Sequence, residues 1–184
     1  PGEMIKLERI IRPTIGIFTN LGQAHDENFT DANQKAREKL DLFQNVDTLI
    51  YCKDYLVIQE ELNQYPFESS PTFFTWSRKT GAYLQIGRTE KKEGQTEIQG
   101  IYKHNFIRIA IPFTDEASIE NAIHCWATML YLGIENAEIA KWMALLAPVA
   151  MRLELKEGIN NCSVINDSYN SDLQSISIAL DFLQ

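Results

Sequence analysis

Apolar positions along the 184-residue chain follow two rhythms. Short β-rich runs recur at residues 14–19, 48–52 and 72–76, and helical spacing takes over between them. Met4, Leu7, Ile10 and Ile11 repeat at helical intervals until Pro13 closes the segment. Thr30 or Asp31 can cap a helix in which Ala32, Ala36, Leu40 and Phe43 share one face, at about 100° per residue. Residues 55–64 carry Leu56, Ile58 and Leu62 at helical spacing, ahead of a loop marked by Pro66, Ser69, Ser70 and Pro71. This βαβαβ order predicts a parallel sheet with right-handed crossovers.

The middle changes style. Residues 82–86, 97–102 and 106–112 read as three strands of an antiparallel meander, separated by the polar stretches 88–95 and 103–105. Residues 119–132 are apolar on several sides and predict a largely buried helix stopped by Gly133. A second helix over 136–146 turns Ile139, Trp142, Met143 and Leu146 inward, so Trp126 and Trp142 both read as core. Residues 151–157 alternate as a half-buried strand does, 163–165 form another, and a helix begins near Asp172. The class is α/β.

Composition narrows the partners. With 45 % hydrophobic and 23 % charged residues the chain is globular, and a net charge of −8 without any run of five basic residues argues against nucleic acid and anionic membranes. Cys52, Cys125 and Cys162 lack CxxC spacing and read as buried free thiols in a reducing compartment. No apolar run approaches the roughly 20 residues of a membrane span and no signal peptide is visible, so a cytoplasmic protein is expected.

Lys39 breaks the helical stripe, three residues after Ala36 and four before Phe43. Such a lysine can snorkel, burying its methylenes and leaving the ammonium wet. The preceding loop, with Asn20 and His25, sits at the carboxyl end of a strand, where α/β sheets bind ligands, although a loop histidine is also an ordinary surface residue. Asn121 lies in Ser118-Ile119-Glu120-Asn121-Ala122, where Ser118 can cap a helix. Arg152 lies in Met151-Arg152-Leu153-Glu154 and taken alone is a surface arginine. Asn166-Asp167-Ser168-Tyr169-Asn170 has the composition of a strand-to-helix turn.

In this order and spacing, the four stretches resemble the Mur ligases, the ATP-dependent amide ligases of peptidoglycan synthesis. TNLGQAHDENF followed by KLDLF is similar to the family's TNIGxAHLE and KxxLF, SIENA to HNxxN, MRLE to GRLE or HRLE, and NDSYN to (D/N)DSYNxNP. Ala117 and Ser118 replace the family's His and Asn, Met151 its Gly or His, and Asp172-Leu173 its Asn-Pro. The resemblance implies that Lys39 is carbamylated by CO2, because Mg²⁺ takes hard oxygen ligands and an ammonium offers only N–H donors. It puts His25 in the same metal and phosphate neighbourhood and Asn20 among the cofactor-binding positions. It assigns Asn121 to the adenine of ATP, Arg152 to its phosphates, Asp167 to ribose and phosphates, and Tyr169 and Asn170 to the base.

The fold implied is part of a Mur ligase central domain over 1–148, a mostly parallel sheet with an antiparallel strand set, followed over 149–184 by the start of a C-terminal α/β domain. The wording is most similar to members that join D-alanyl-D-alanine to UDP-N-acetylmuramoyl-tripeptide through an acyl phosphate, some of them fused to an alanine racemase whose pyridoxal phosphate would lie outside this chain. Helical patterns running to both termini suggest a cut chain. No GxxxxGK[ST] phosphate loop occurs, so the isolated chain is expected to be inactive. Other Mur-type ligases, a folylpolyglutamate synthase, or a non-catalytic scaffold are the competing readings.

Overall fold

Local chemistry sets the element boundaries in the computed structural model, which describes residues 2–22, 29–79, 81–147, 154–166, 168, 176, 179 and 180. Helix α1 (Met4–Ile11) ends where Arg12 turns left-handed, at φ 46°, ahead of Pro13. Strand β1 (Ile15–Phe18) follows, then α2 (Ala32–Leu40). Asp31 caps α2 by accepting the Gln34 N–H at 2.7 Å, while Gln34 Oε1 accepts the Thr30 N–H at 2.6 Å, a reciprocal cap that satisfies two otherwise orphaned donors. Strand β2 (Thr48–Cys52), α3 (Leu56–Gln64) and β3 (Thr72–Ser77) complete the parallel part. The meander is β4 (Leu84–Lys92), β5 (Gln95–Tyr102) and β6 (Asn105–Ile111), and helices α4 (Glu116–Tyr131) and α5 (Asn136–Ala144) follow.

All six strands form one sheet in sequence order, parallel from β1 to β4 and antiparallel from β4 to β6. The β3–β4 joint is staggered: Trp76 pairs with Leu84 and Ser77 with Gln85, and β4 then runs on beyond the end of β3. This is why a connection far shorter than a helical crossover can join two parallel strands. Gln85 Nε2 stitches it by donating to the Ser77 and Lys79 carbonyls at 3.0 and 2.9 Å.

Burial follows the alternation of side chains along each strand. Leu49 and Tyr51 of β2 join Phe18, Leu40, Val46, Ile58 and Leu62 on the α2–α3 side of the sheet. Ile50 and Cys52 face the other way, into the larger core of Trp76, Leu84, Ile98, Ile109, Ile119, Ile123, Trp126, Ile139 and Met143 beneath α4 and α5. Helices thus cover both faces. At Gly16 an added Cβ would lie 2.6 Å from Phe43 Cδ1 and 2.8 Å from Leu49 Cδ1. Gly16→Ala is therefore expected to destabilise the chain by about 2 kcal/mol through overpacking, read as a lower urea midpoint with an unchanged denaturant slope.

Three expectations are corrected. The stretch 88–95 is not a connecting loop: β4 continues to Lys92 and the turn shrinks to Glu93-Gly94, because polar residues suit the two exposed edges of a hairpin. Trp142 is 49 % exposed and Leu146 41 %, since α5 buries only the narrow Ile139–Met143 stripe and ends at Ala144. Of the three thiols only Cys52 is buried; Cys125 lies on the outer side of α4 and Cys162 in the hairpin that follows.

The chain divides into two compact units, Pro1–Ala144 and Leu145–Gln184. Within the second, β7 (Glu154–Glu157) and β8 (Ser163–Asn166) pair antiparallel, and Asn166 Nδ2 donates to Glu154 Oε2 at 3.2 Å. Among the described residues no helix is long and apolar enough to cross a membrane.

Candidate active site at the carboxyl ends of the strands

Strands β1, β2 and β3 run in one direction and release their chains at one edge of the sheet, where α4 lies against β2 and β3. Four side chains meet there around a carboxylate. Glu120 Oε1 accepts from Asn20 Nδ2 at 3.3 Å, and Glu120 Oε2 accepts the Tyr55 hydroxyl at 2.6 Å. One helical turn further along α4, His124 Nε2 lies 4.0 Å from Glu120 Oε1. Trp76, at the end of β3, donates its indole N–H to His124 Nδ1 at 3.1 Å.

The indole can only donate, so His124 Nδ1 must be the bare nitrogen and the ring proton sits on Nε2. The imidazole is 2 % exposed, and burial holds it down at about 4, with the neighbouring Thr19 backbone working the other way. His124 is thus neutral near pH 7, and its approach to Glu120 is not an ion pair. Among the described residues its Nε2 has no hydrogen-bond partner. Burial, reinforced by the bond to Glu120, raises the Tyr55 phenol well above its usual range, so it remains a proton donor to the carboxylate. Cys52, beneath this cluster, is pushed up to about 12, chiefly by burial, and is no nucleophile.

Helix α2 brings a second group. Lys35 is 5 % exposed, donates from Nζ to the Gly22 carbonyl in the loop after β1, and holds its Nζ 5.9 Å from the centre of the Phe29 ring. Lys39, one turn on, is half-buried. Burial, and then the charge of Lys35, lower its pKa from the ordinary lysine value. Ala36 and Leu40 beside it are fully buried, whereas Ala32 in the first turn is exposed.

Of the residues singled out from the sequence, Asn20 lies at the end of β1, bonded to Glu120, whose chain neighbour on α4 is Asn121. Asn20 and Asn121 are both exposed. Ser118 does not cap α4: the N-cap is Asp115, whose Oδ1 accepts the Ser118 N–H at 2.8 Å. His25, Arg152, Asp167, Tyr169 and Asn170 lie outside the described residues. Sequence reading missed Lys35, Tyr55, Trp76, Glu120 and His124. The Glu120–His124 spacing, one helical turn on an otherwise apolar face, was the one available signal. Among the described residues no three His, Cys, Asp or Glu side chains come together to hold a metal ion.

Comparison with known proteins places the fold. A UDP-N-acetylmuramoyl-tripeptide–D-alanyl-D-alanine ligase of Bacillus subtilis is 27 % identical over 186 residues, covering all of this chain and 39 % of the relative. The ligase of the same name from Rickettsia prowazekii is 28 % identical over 192 residues, covering all of this chain and 41 % of its own. The chain therefore spans about two fifths of the length of these relatives. Crystal structures of MurF from Acinetobacter baumannii (TM-score 0.80, 20 % identity, 99 % of this chain and 40 % of that one) and of MurF ligase from Thermotoga maritima in complex with ADP (0.78, 17 %, 98 % and 41 %) share the fold. The family described as Mur ligase middle domain matches residues 2–129, well over half of the sequence, and the chain belongs to that family.

Proposed function

We propose that this chain is part of an ATP-dependent ligase that joins D-alanyl-D-alanine to UDP-N-acetylmuramoyl-tripeptide in cytoplasmic peptidoglycan synthesis. The observation that carries the reading is Lys39. A half-buried lysine whose pKa is lowered by burial and by a neighbouring Lys35 has a raised share of free amine, the form that adds CO2. Carbamylation forms an N–C bond, releases the amine proton and leaves a carbamate anion. The product replaces a cation that Lys35 repels by an anion that the Lys35 charge attracts. The relatives matched along the whole chain bear the name of this ligase.

In the proposed reaction the tripeptide carboxylate attacks the γ-phosphorus of ATP, giving an acyl phosphate and ADP. The dipeptide amine then adds to the acyl carbon, and phosphate leaves as the amide forms. Bound Mg²⁺ would supply charge neutralisation on the phosphates. The described residues fit it only in part: a carbamylated Lys39 would offer a hard oxygen ligand, and among them no three His, Cys, Asp or Glu side chains come together beside it. Lys35 holds the loop after β1 through the Gly22 carbonyl, and the exposed Asn20 and Asn121 are assigned to the bound cofactor, Asn121 to the adenine. His25 belongs with Lys39 at the metal, and Arg152, Asp167, Tyr169 and Asn170 with the nucleotide. In the same proposal residues 1–148 belong to the central domain and 149–184 open the C-terminal domain.

The test is product analysis on the full-length protein with ATP, Mg²⁺, the UDP-tripeptide and D-alanyl-D-alanine. Equimolar ADP and UDP-N-acetylmuramoyl-pentapeptide are expected, with no turnover by the 184 residues alone. Ligation of a single amino acid to a shorter UDP-peptide instead would assign the chain to another Mur ligase.

A further inference from the structure

We infer that Glu120 is a positioning residue that fixes the polarity of Asn20, so that the end of β1 presents an oxygen acceptor and takes a donor-bearing cation. The inference rests on the ligase reading. A carboxylate has only acceptors, so the atom Asn20 turns toward Glu120 must be its NH2 group. That leaves Asn20 Oδ1 as the outward atom, and among the described residues it has no partner.

Glu120 cannot easily turn away from this task. Its other oxygen is held by the Tyr55 hydroxyl at 2.6 Å, and the neutral His124 keeps its Nε2 proton on the same side at 4.0 Å. Trp76 in turn fixes that tautomer through the bond to Nδ1. Three strand ends and one helix therefore converge on the orientation of one exposed amide. An outward carbonyl oxygen backed by a carboxylate repels phosphate oxygens. It suits a hydrated divalent cation or an ammonium group, which share the same donor chemistry.

Exchanging the two functional groups provides the test. Glu120→Gln offers one oxygen and one NH2, so it no longer dictates which way Asn20 points. Asn20→Asp sets two carboxylates against each other. The double variant Asn20→Asp with Glu120→Gln rebuilds the pair in reverse, with the new amide on α4 donating inward and a carboxylate oxygen at the end of β1 left facing outward.

In the full-length ligase each single variant is expected to raise a KM about tenfold, and the double variant to recover most of it. A change in the KM for Mg²⁺ at saturating dipeptide identifies the metal as the cation. A change in the KM for D-alanyl-D-alanine at saturating Mg²⁺ identifies the amine. Unchanged KM values, lower melting temperatures alone, or a double variant no better than the worse single one would overturn the assignment.

A second measurement stands apart from ligase activity. In the ¹⁵N-labelled 184-residue chain the Asn20 side-chain NH2 should show one hydrogen-bonded proton that is lost in Glu120→Gln. If the wild-type full-length protein fails to ligate but this signal behaves as stated, the ligase reading falls and the clamp stands. If the signal is indifferent to Glu120, the clamp falls.

Discussion

Lys39→Ala in the full-length ligase is expected to lower kcat by about 10²–10³-fold, the loss typical of removing one charged group from a phosphoryl or acyl transfer site. The fold should survive. Alanine is the better helix former, and the change removes a half-buried charge that faces Lys35. Melting temperature and activity should therefore separate, with stability held or raised while turnover collapses. The wild-type enzyme should also lose activity when CO2 is stripped from the buffer and regain it with bicarbonate, which a snorkelling lysine would not do. A variant within about threefold of wild type, or bicarbonate-independent turnover, would remove Lys39 from the mechanism.

The second large effect is on stability. Acidifying from pH 7 to 4 is expected to cost the chain about 3 kcal/mol through His124 alone. The buried ring stays neutral down to about pH 4, whereas in the unfolded chain it takes up a proton near pH 6.5. Between those values the unfolded state binds more protons, so the contribution is fully present above 6.5 and is lost as pH falls toward 4. Glu120, the titratable group facing the ring at 4.0 Å, does not rescue the charge. Urea titrations at several pH values, on the wild type and on His124→Gln, read this directly. Whatever stability the variant starts from, its pH slope should be shallower by that amount. Equal slopes would show that His124 titrates normally.

Much of the frame could be read from residue patterns, and the reasons differ by element. Strand β2 was legible because both its faces are apolar, and α2 because its cap and its Ala36–Leu40 stripe agree. The extension of β4 to Lys92 was not, since its outer rungs carry charged residues on both sides and alternation signals only half-burial. Lys39 was found as an anomaly within an apolar face, yet Lys35 escaped notice because it lies at the margin of that face, where a charge looks ordinary. The carboxylate cluster was illegible for a stronger reason. Asn20, Tyr55, Trp76 and Glu120 come from four separate elements, and only the parallel topology brings them to one edge.

The staggered joint between β3 and β4 has a mechanical consequence. Only two residue pairs bridge the parallel and antiparallel halves of the sheet, so backbone pairing transmits little resistance to shear at that seam. What spans it is the larger core, where Trp76 from one side and Leu84, Ile98 and Ile109 from the other pack with Ile119, Ile123 and Trp126 of α4. The helix acts as a splint across the seam. It also bears Glu120, so strain arising in the distant meander has a rigid lever to the edge where Asn20 sits.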